Sequence, residues 1–183
     1  MSEALFPRVI GPAFAALPAP VRACHGGGAD RAWSGQATVE AGRHPLARLL
    51  HLLSGLPPAG ADVKVTVRIE PRRGGEVWRR DFAGHPFVSV LRAGRGRDAG
   101  CLVERFGPAT LAMVPTLRDG GIDLALRSFR LFGLPLPRRL RPRIEARAEA
   151  VGGQYRFAAE FAFCGIGPIL RYRGSLEPVN TQR

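Results

Sequence analysis

The segment Asp62 to Glu70 alternates without a break: Val63, Val65, Val67 and Ile69 hold one parity, Lys64, Thr66, Arg68 and Glu70 the other. Successive side chains of a strand point to opposite faces, so a period of two prescribes a strand with one apolar and one solvated face. Pro71 to Gly75 supplies turn residues and Glu76–Phe82 alternates again, which makes the whole stretch a hairpin. Similar runs recur at Gln36–Glu40, Phe87–Arg92, Cys101–Phe106, Thr110–Leu117, Ile122–Leu131, Ile144–Ala150, Tyr155–Phe163 and Ile169–Leu176, with Gly, Pro, Asn or Asp in nearly every gap. Links this short join antiparallel neighbours, because a parallel crossover needs about a dozen residues or more. A single open layer would leave costly edges. The expectation is therefore a mainly β (α+β) fold, a strongly curved antiparallel sheet or barrel of about eight to nine strands.

Two stretches leave that period. At Pro45–Ser54, Leu46, Leu49, Leu50 and Leu53 fall at helical spacing and Gly55 closes the end, giving one short amphipathic helix. Near the N-terminus, Val9 to Ala19 is apolar, follows Arg8 and ends in Ala-Leu-Pro-Ala, the outline of a signal peptide. Glu3 in the region that should be positive, and Pro12 and Pro18 inside the apolar run, argue against one. The reading is instead two short helical turns, Pro12–Leu17 and Ala19–His25, opened by prolines and ended by Gly26, Gly27 and Gly28. These helices are expected to cover an opening of the sheet. The chain is read as one domain over 1–183: a helical segment 1–32, the curved sheet 33–177 with its helix at 45–54, and a tail 178–183.

Charge points first to an anionic partner, since 27 basic against 15 acidic residues leave a net +12. Only one of those basic residues is a lysine, Lys64, and the chain is rich in Ala, Gly and Pro, a bias that GC-rich coding produces without selection for binding. The densest stretch, Arg138, Arg139, Arg141 and Arg143, is interleaved with Pro137 and Pro142 and cannot form a helix that enters a groove, so no specific nucleic acid is expected. No apolar run reaches the roughly 18 residues of a transmembrane segment. Cys24, Cys101 and Cys164 are odd in number and lack CxxC spacing, and His25, His44, His51 and His85 lack metal spacing. No disulfide framework, zinc site or cofactor is implied, and a reduced, cytoplasmic setting follows. A Gly-x-Ser-x-Gly elbow is absent from the sequence.

Candidate site residues come from polar groups on apolar faces. Glu104 alternates with Leu102 and Phe106; if that face is interior, the carboxylate needs a partner, and Arg130, on the Ile122, Leu124, Leu126, Ser128 face, is of the right type. The other parity, Cys101, Val103 and Arg105, would leave Glu104 solvated. Tyr172 continues the Leu170 and Leu176 face and offers a hydroxyl. Tyr155, Phe157, Phe161 and Phe163, with Ala159 between, form an aromatic stripe with a dip, which suits a packed core or the wall of a cavity. The expected cavity is lined by Phe106, Leu124, Leu126, Tyr155, Phe157, Phe161, Leu170 and Tyr172, with Glu104 and Arg130 as its polar groups.

Several phrases, taken in order, resemble one bacterial family. They are Gly26-Gly27-Gly28 leading to Trp33-Ser34-Gly35-Gln36-Ala37-Thr38-Val39-Glu40, then Leu102-Val103-Glu104-Arg105-Phe106-Gly107-Pro108, then Leu131-Phe132-Gly133-Leu134-Pro135-Leu136-Pro137 and Arg171-Tyr172-Arg173-Gly174. The chain is similar along nearly its whole length to the family called domain of unknown function 4166. The resemblance implies that relatives occur alone or fused behind nicotinamide-binding domains of the saccharopine dehydrogenase or short-chain dehydrogenase kind. It carries no catalytic residues. No such domain is expected in this sequence, since Gly26–Gly28 follows a helix rather than a strand.

Two function classes follow. The first is a non-catalytic binding module for a small hydrophobic or amphipathic ligand, such as a lipid, held inside the sheet, an expectation that rests on fold analogy. The alternative is an enzyme, or a substrate-presenting accessory of an NAD(P)-dependent oxidoreductase, with a separate dehydrogenase domain as its partner.

Overall fold

The computed structural model describes residues 4–53 and 55–179. Ser54, the expected last residue of the amphipathic helix, and residues 180–183 of the expected tail lie outside the described residues. The chain opens with α1 (Leu5–Ile10), a 3-10 turn at Pro12–Ala16, and α2 (Ala19–His25). β1 (Arg31–Ala41) then leads through α3 (Pro45–Leu53) to β2 (Gly60–Arg72), β3 (Gly75–Phe82), β4 (His85–Ala93), β5 (Leu102–Phe106) and β6 (Ala109–Arg118). The remainder is β7 (Gly121–Leu131), the two-residue β8 (Leu134–Pro135), β9 (Pro142–Val151), β10 (Gln154–Phe163) and β11 (Gly167–Pro178).

Every pairing is antiparallel. β1 to β7 follow one another around a ring, β9, β10 and β11 continue it, and β11 returns to β1, while β8 sits outside on β7. The barrel therefore has ten strands, more than the eight or nine expected. Each alternating run becomes one strand, and the short run at Gln36–Glu40 is the centre of an eleven-residue strand paired on both sides. Closure leaves no ring strand with an unpaired edge along its full length, which is what the many short strands required.

Curvature comes from bulges, where an extra residue bends and twists one strand. Register shifts occur between Ala37 and Val39, between Phe161 and Ala162, and between Ala112 and Met113. Gly35 and Gly174 permit a close approach of β1 and β11, since a Cβ on either would collide with a carbonyl of the other strand, that of Ser175 or of Gln36.

The antiparallel order gives the barrel two distinct ends. α1 and α2 close one of them: Arg8 Nη2 donates to the Gly74 carbonyl at 3.2 Å in the β2–β3 turn, and Pro18 packs on Gly120 in the β6–β7 turn. Phe6, Val21 and Cys24 are thereby sealed from solvent. α3 lies at the other end, with Ala47 buried beside Gly42. The expected valine face of β2 is inside: Val65, Val67 and Ile69 are buried and Val63 packs against them.

Two apolar clusters fill the interior. The larger joins the N-terminal helices to the inner faces of most strands, and the smaller gathers Ala109, Leu111, Met113, Phe129 and Ile144 on the β6, β7 and β9 side. Phe106 and Leu126 pack on this second cluster.

A candidate ligand cavity inside the barrel

β3 brings the central polar group inside. Its register with β2 places Val67 opposite Arg80 and Ile69 opposite Trp78, so Glu76, Trp78, Arg80 and Phe82 all share the inner face. Arg80 Nη1 donates to Ser89 Oγ of β4 at 2.9 Å and to Glu104 Oε1 of β5 at 3.2 Å. Its guanidinium lies 4.9 Å from the Trp78 ring centre and 5.6 Å from that of Phe87, so aromatic faces stabilise the cation where water is scarce. Glu104 thus points inward and is neutralised.

Arg130 does not take part. The bulge opposite Ala112 and Met113 leaves Arg127 without a register partner, so Leu124 and Leu126 face inward but the next inward residue is Phe129. One extra residue reverses the parity of everything beyond it. Ser128 and Arg130 consequently face outward, where both bind Asp98 of the β4–β5 loop, at 3.1 Å and 2.8 Å. Burial raises the Asp98 carboxyl, but the hydrogen bonds from Arg130 and Ser128 outweigh it and hold the group below the usual carboxylate range.

Nearer the helical end lies a second polar group. Glu76 accepts from Arg31 Nη2 at 3.0 Å and from Trp78 Nε1 at 2.9 Å. His25 Nε2 and the Tyr155 hydroxyl are 3.0 Å apart, and the His25 ring packs between Phe6 and Trp78 at 4.2 Å and 5.5 Å between ring centres. Burial, with the positive field of Arg31 and Arg80, pushes His25 down to about 3, so its ring is neutral. Burial likewise raises the phenols of Tyr155 and Tyr172 and the thiol of Cys24, the last to about 12.

Between these groups and the second apolar cluster lies a cavity of about 110 Å³. Its wall includes Glu104, Leu124, Tyr155, Phe157, Phe161 and Tyr172, all named from the sequence, together with Arg80, Trp78, Phe82 and His25, which were not. Phe157, Phe161 and Tyr172 lie on inner faces yet keep partly accessible surface, as rings facing space do. Ala159 is the dip in the stripe and also lines the space. Leu170 is buried in the larger cluster instead, and Phe106 and Leu126 belong to the smaller one. The signal that could have found Arg80 was the hairpin itself, because an inward Val67 forces the parity of its partner. Among the described residues, no group of three or more His, Cys, Asp or Glu side chains gathers as a metal site would.

From residue 17 to residue 176 the sequence matches the model of the family described as Domain of unknown function (DUF4166). The chain belongs to that family. Its phrase Leu102–Pro108 thus contains the interior carboxylate, and the phrase Arg171–Gly174 contains the interior Tyr172. Among curated proteins no sequence matches. The matching solved structures include the crystal structure of a secretary abundant heat soluble (SAHS) protein from Ramazzottius varieornatus, 10% identical, covering 81% of this chain and 93% of that one with a TM-score of 0.43. A likeness of that degree bears on neither ligand nor site.

Proposed function

We propose that the barrel is a non-catalytic binding module that holds one small, neutral, amphipathic molecule in its interior. The observation that carries this is the charge balance beside an apolar cavity: Glu76 is matched by Arg31 at 3.0 Å and Glu104 by Arg80 at 3.2 Å. With His25 and both tyrosines neutral, and Arg147 of the wall held by Asp123 at 2.7 Å and Glu149 at 2.8 Å, the described residues that line the cavity leave no unpaired charge for an ionic ligand to cancel. A carboxylate or ammonium ligand would therefore enter a low-dielectric space unpaired, which is strongly unfavourable. A hydroxyl or carbonyl head can instead exchange hydrogen bonds with Arg80, Glu104 or the Tyr172 hydroxyl while its body meets the rings of Phe157 and Phe161. A volume of about 110 Å³ suits a body of roughly one ring, close to the ~150 Å³ apolar cavities that take up benzene.

The experiment is a calorimetric titration with para-cresol, benzoate and benzylamine. Cresol binding that is lost in Ala159→Leu, with the circular dichroism spectrum unchanged, is the expected result. Equal binding of all three, or binding that survives the added side chain, removes the reading.

A further inference from the structure

We propose that the α3 end of the barrel is a docking face for an anionic lipid bilayer. The antiparallel topology assigns to this end the loops 42–59, 83–84, 107–108, 132–133, 136–141 and 164–166. These loops contain Arg43, Arg48, Arg138, Arg139 and Arg141 and not a single Asp or Glu. The loops of the opposite end, 26–30, 73–74, 94–101, 119–120 and 152–153, set Asp30, Asp98 and Asp119 against Arg73, Arg95 and Arg97 and so balance. The loops of the α3 end thus carry a net five positive charges where those of the helical end carry no net charge, with Asp62 and Asp81 among the acidic groups at the adjoining strand ends.

The same end carries the apolar surface. The five most exposed large apolar side chains among the described residues are Phe132 at 79%, Leu134 at 72%, Leu140 at 60%, Leu46 at 51% and Leu49 at 50%. All five are here, three on the β7–β9 connection and two on α3. Phe132 is also held at φ 51, a left-handed conformation that bulky residues rarely adopt, at the tip of its turn. Arg141 pins the stem of that connection by donating to the Leu136 carbonyl at 2.9 Å.

The occupant follows from the arrangement. The apolar residues stand in two groups across the barrel mouth, with β9 and β10 between them, rather than in one groove that a partner helix or strand would fill. Exposed Arg43, Arg48, Arg138 and Arg139 flank both groups. Phenylalanine and leucine at the level of lipid headgroups, ringed by arginine, match an anionic bilayer surface in both charge and polarity. Binding at this face does not depend on the cavity, so its failure would leave ligand uptake standing, and the reverse.

The test is co-sedimentation with vesicles of phosphatidylcholine containing about one third phosphatidylglycerol, at moderate salt. Three variants, all at exposed positions, are compared with the parent: Phe132→Ser/Leu134→Ser, Arg138→Glu/Arg139→Glu, and Arg22→Glu/Arg73→Glu at the helical end. The first two are expected to lower the partition coefficient by about tenfold or more, and the third by no more than about twofold. In Phe132→Trp, emission is expected to shift to the blue on binding and to be quenched by lipids brominated on the acyl chain. A loss in Arg22→Glu/Arg73→Glu as large as in Arg138→Glu/Arg139→Glu would reduce the effect to net charge and overturn the proposal. So would a parent that stays in the supernatant, or a Phe132→Trp emission insensitive to bilayer contact, and a face that captured only a protein would give that result.

Discussion

Arg80 and Glu104, 24 positions apart in the chain, meet at 3.2 Å inside the barrel, each with only 15% of its side chain accessible. Among the described residues neither charge has another ion-pair partner, so each is the other's one ionic counterpart, while Ser89 and the rings of Trp78 and Phe87 also hold Arg80. Removing one leaves the second stranded in low dielectric.

Glu104→Leu or Arg80→Met alone is therefore expected to cost about 2–4 kcal/mol, while the double variant Arg80→Met/Glu104→Leu recovers most of it. Urea unfolding of the four proteins checks this. A double variant as unstable as the sum of the singles would mean that the pair is not coupled.

His25 sets an acid limb. In the unfolded chain it titrates near 6.5 and in the barrel only near 3, because burial and then Arg31 and Arg80 oppose its protonation. Between those values the unfolded chain binds one more proton, so stability falls as pH drops from about 6.5 toward 3 and is insensitive to His25 above 6.5. His25→Gln is expected to lower the slope of stability against pH by about one proton in that window, read from urea midpoints at successive pH values.

Thiol reactivity separates the three cysteines. Cys24 and Cys101 are sealed in the structure, and burial holds the Cys24 thiol up near 12, whereas Cys164 is exposed in the β10–β11 turn. Iodoacetamide at neutral pH is expected to modify Cys164 alone in the native protein and all three residues after unfolding, as intact mass will report.

Outside the barrel, Asp98 clamps the β4–β5 loop onto Ser128 and Arg130. Asp98→Ala is expected to destabilise by about 1–2 kcal/mol, since the Arg130 side of the contact remains open to water. The folded Asp98 carboxyl titrates below the unfolded value, so the contribution is present above the ordinary carboxylate range and is lost as pH falls through the depressed value. The variant and the parent should thus converge in stability at strongly acid pH.

The sequence by itself determined the strands. Alternation in Asp62–Glu70 dictates which side of β2 meets apolar neighbours, because burying the other side would desolvate Lys64, Thr66, Arg68 and Glu70. Short polar links made the neighbours antiparallel, and the number of strands made closure favourable. From the same reasoning the aromatic stripe of β10 was legible as an inner face, and with it Tyr155, Phe157 and Phe161 of the cavity wall. What only the tertiary structure decided is register. A bulge opposite Ala112 and Met113 turned Arg130 outward, and the pairing of β3, β4 and β5 brought Arg80 against Glu104. Both depend on which residues of separate strands hydrogen-bond to one another, a long-range choice that leaves no periodicity in either strand alone. The meeting of Phe132, Leu140, Leu46 and Leu49 at one end has the same origin: nothing local relates two segments so far apart in the chain until the ring closes and puts their loops on the same side.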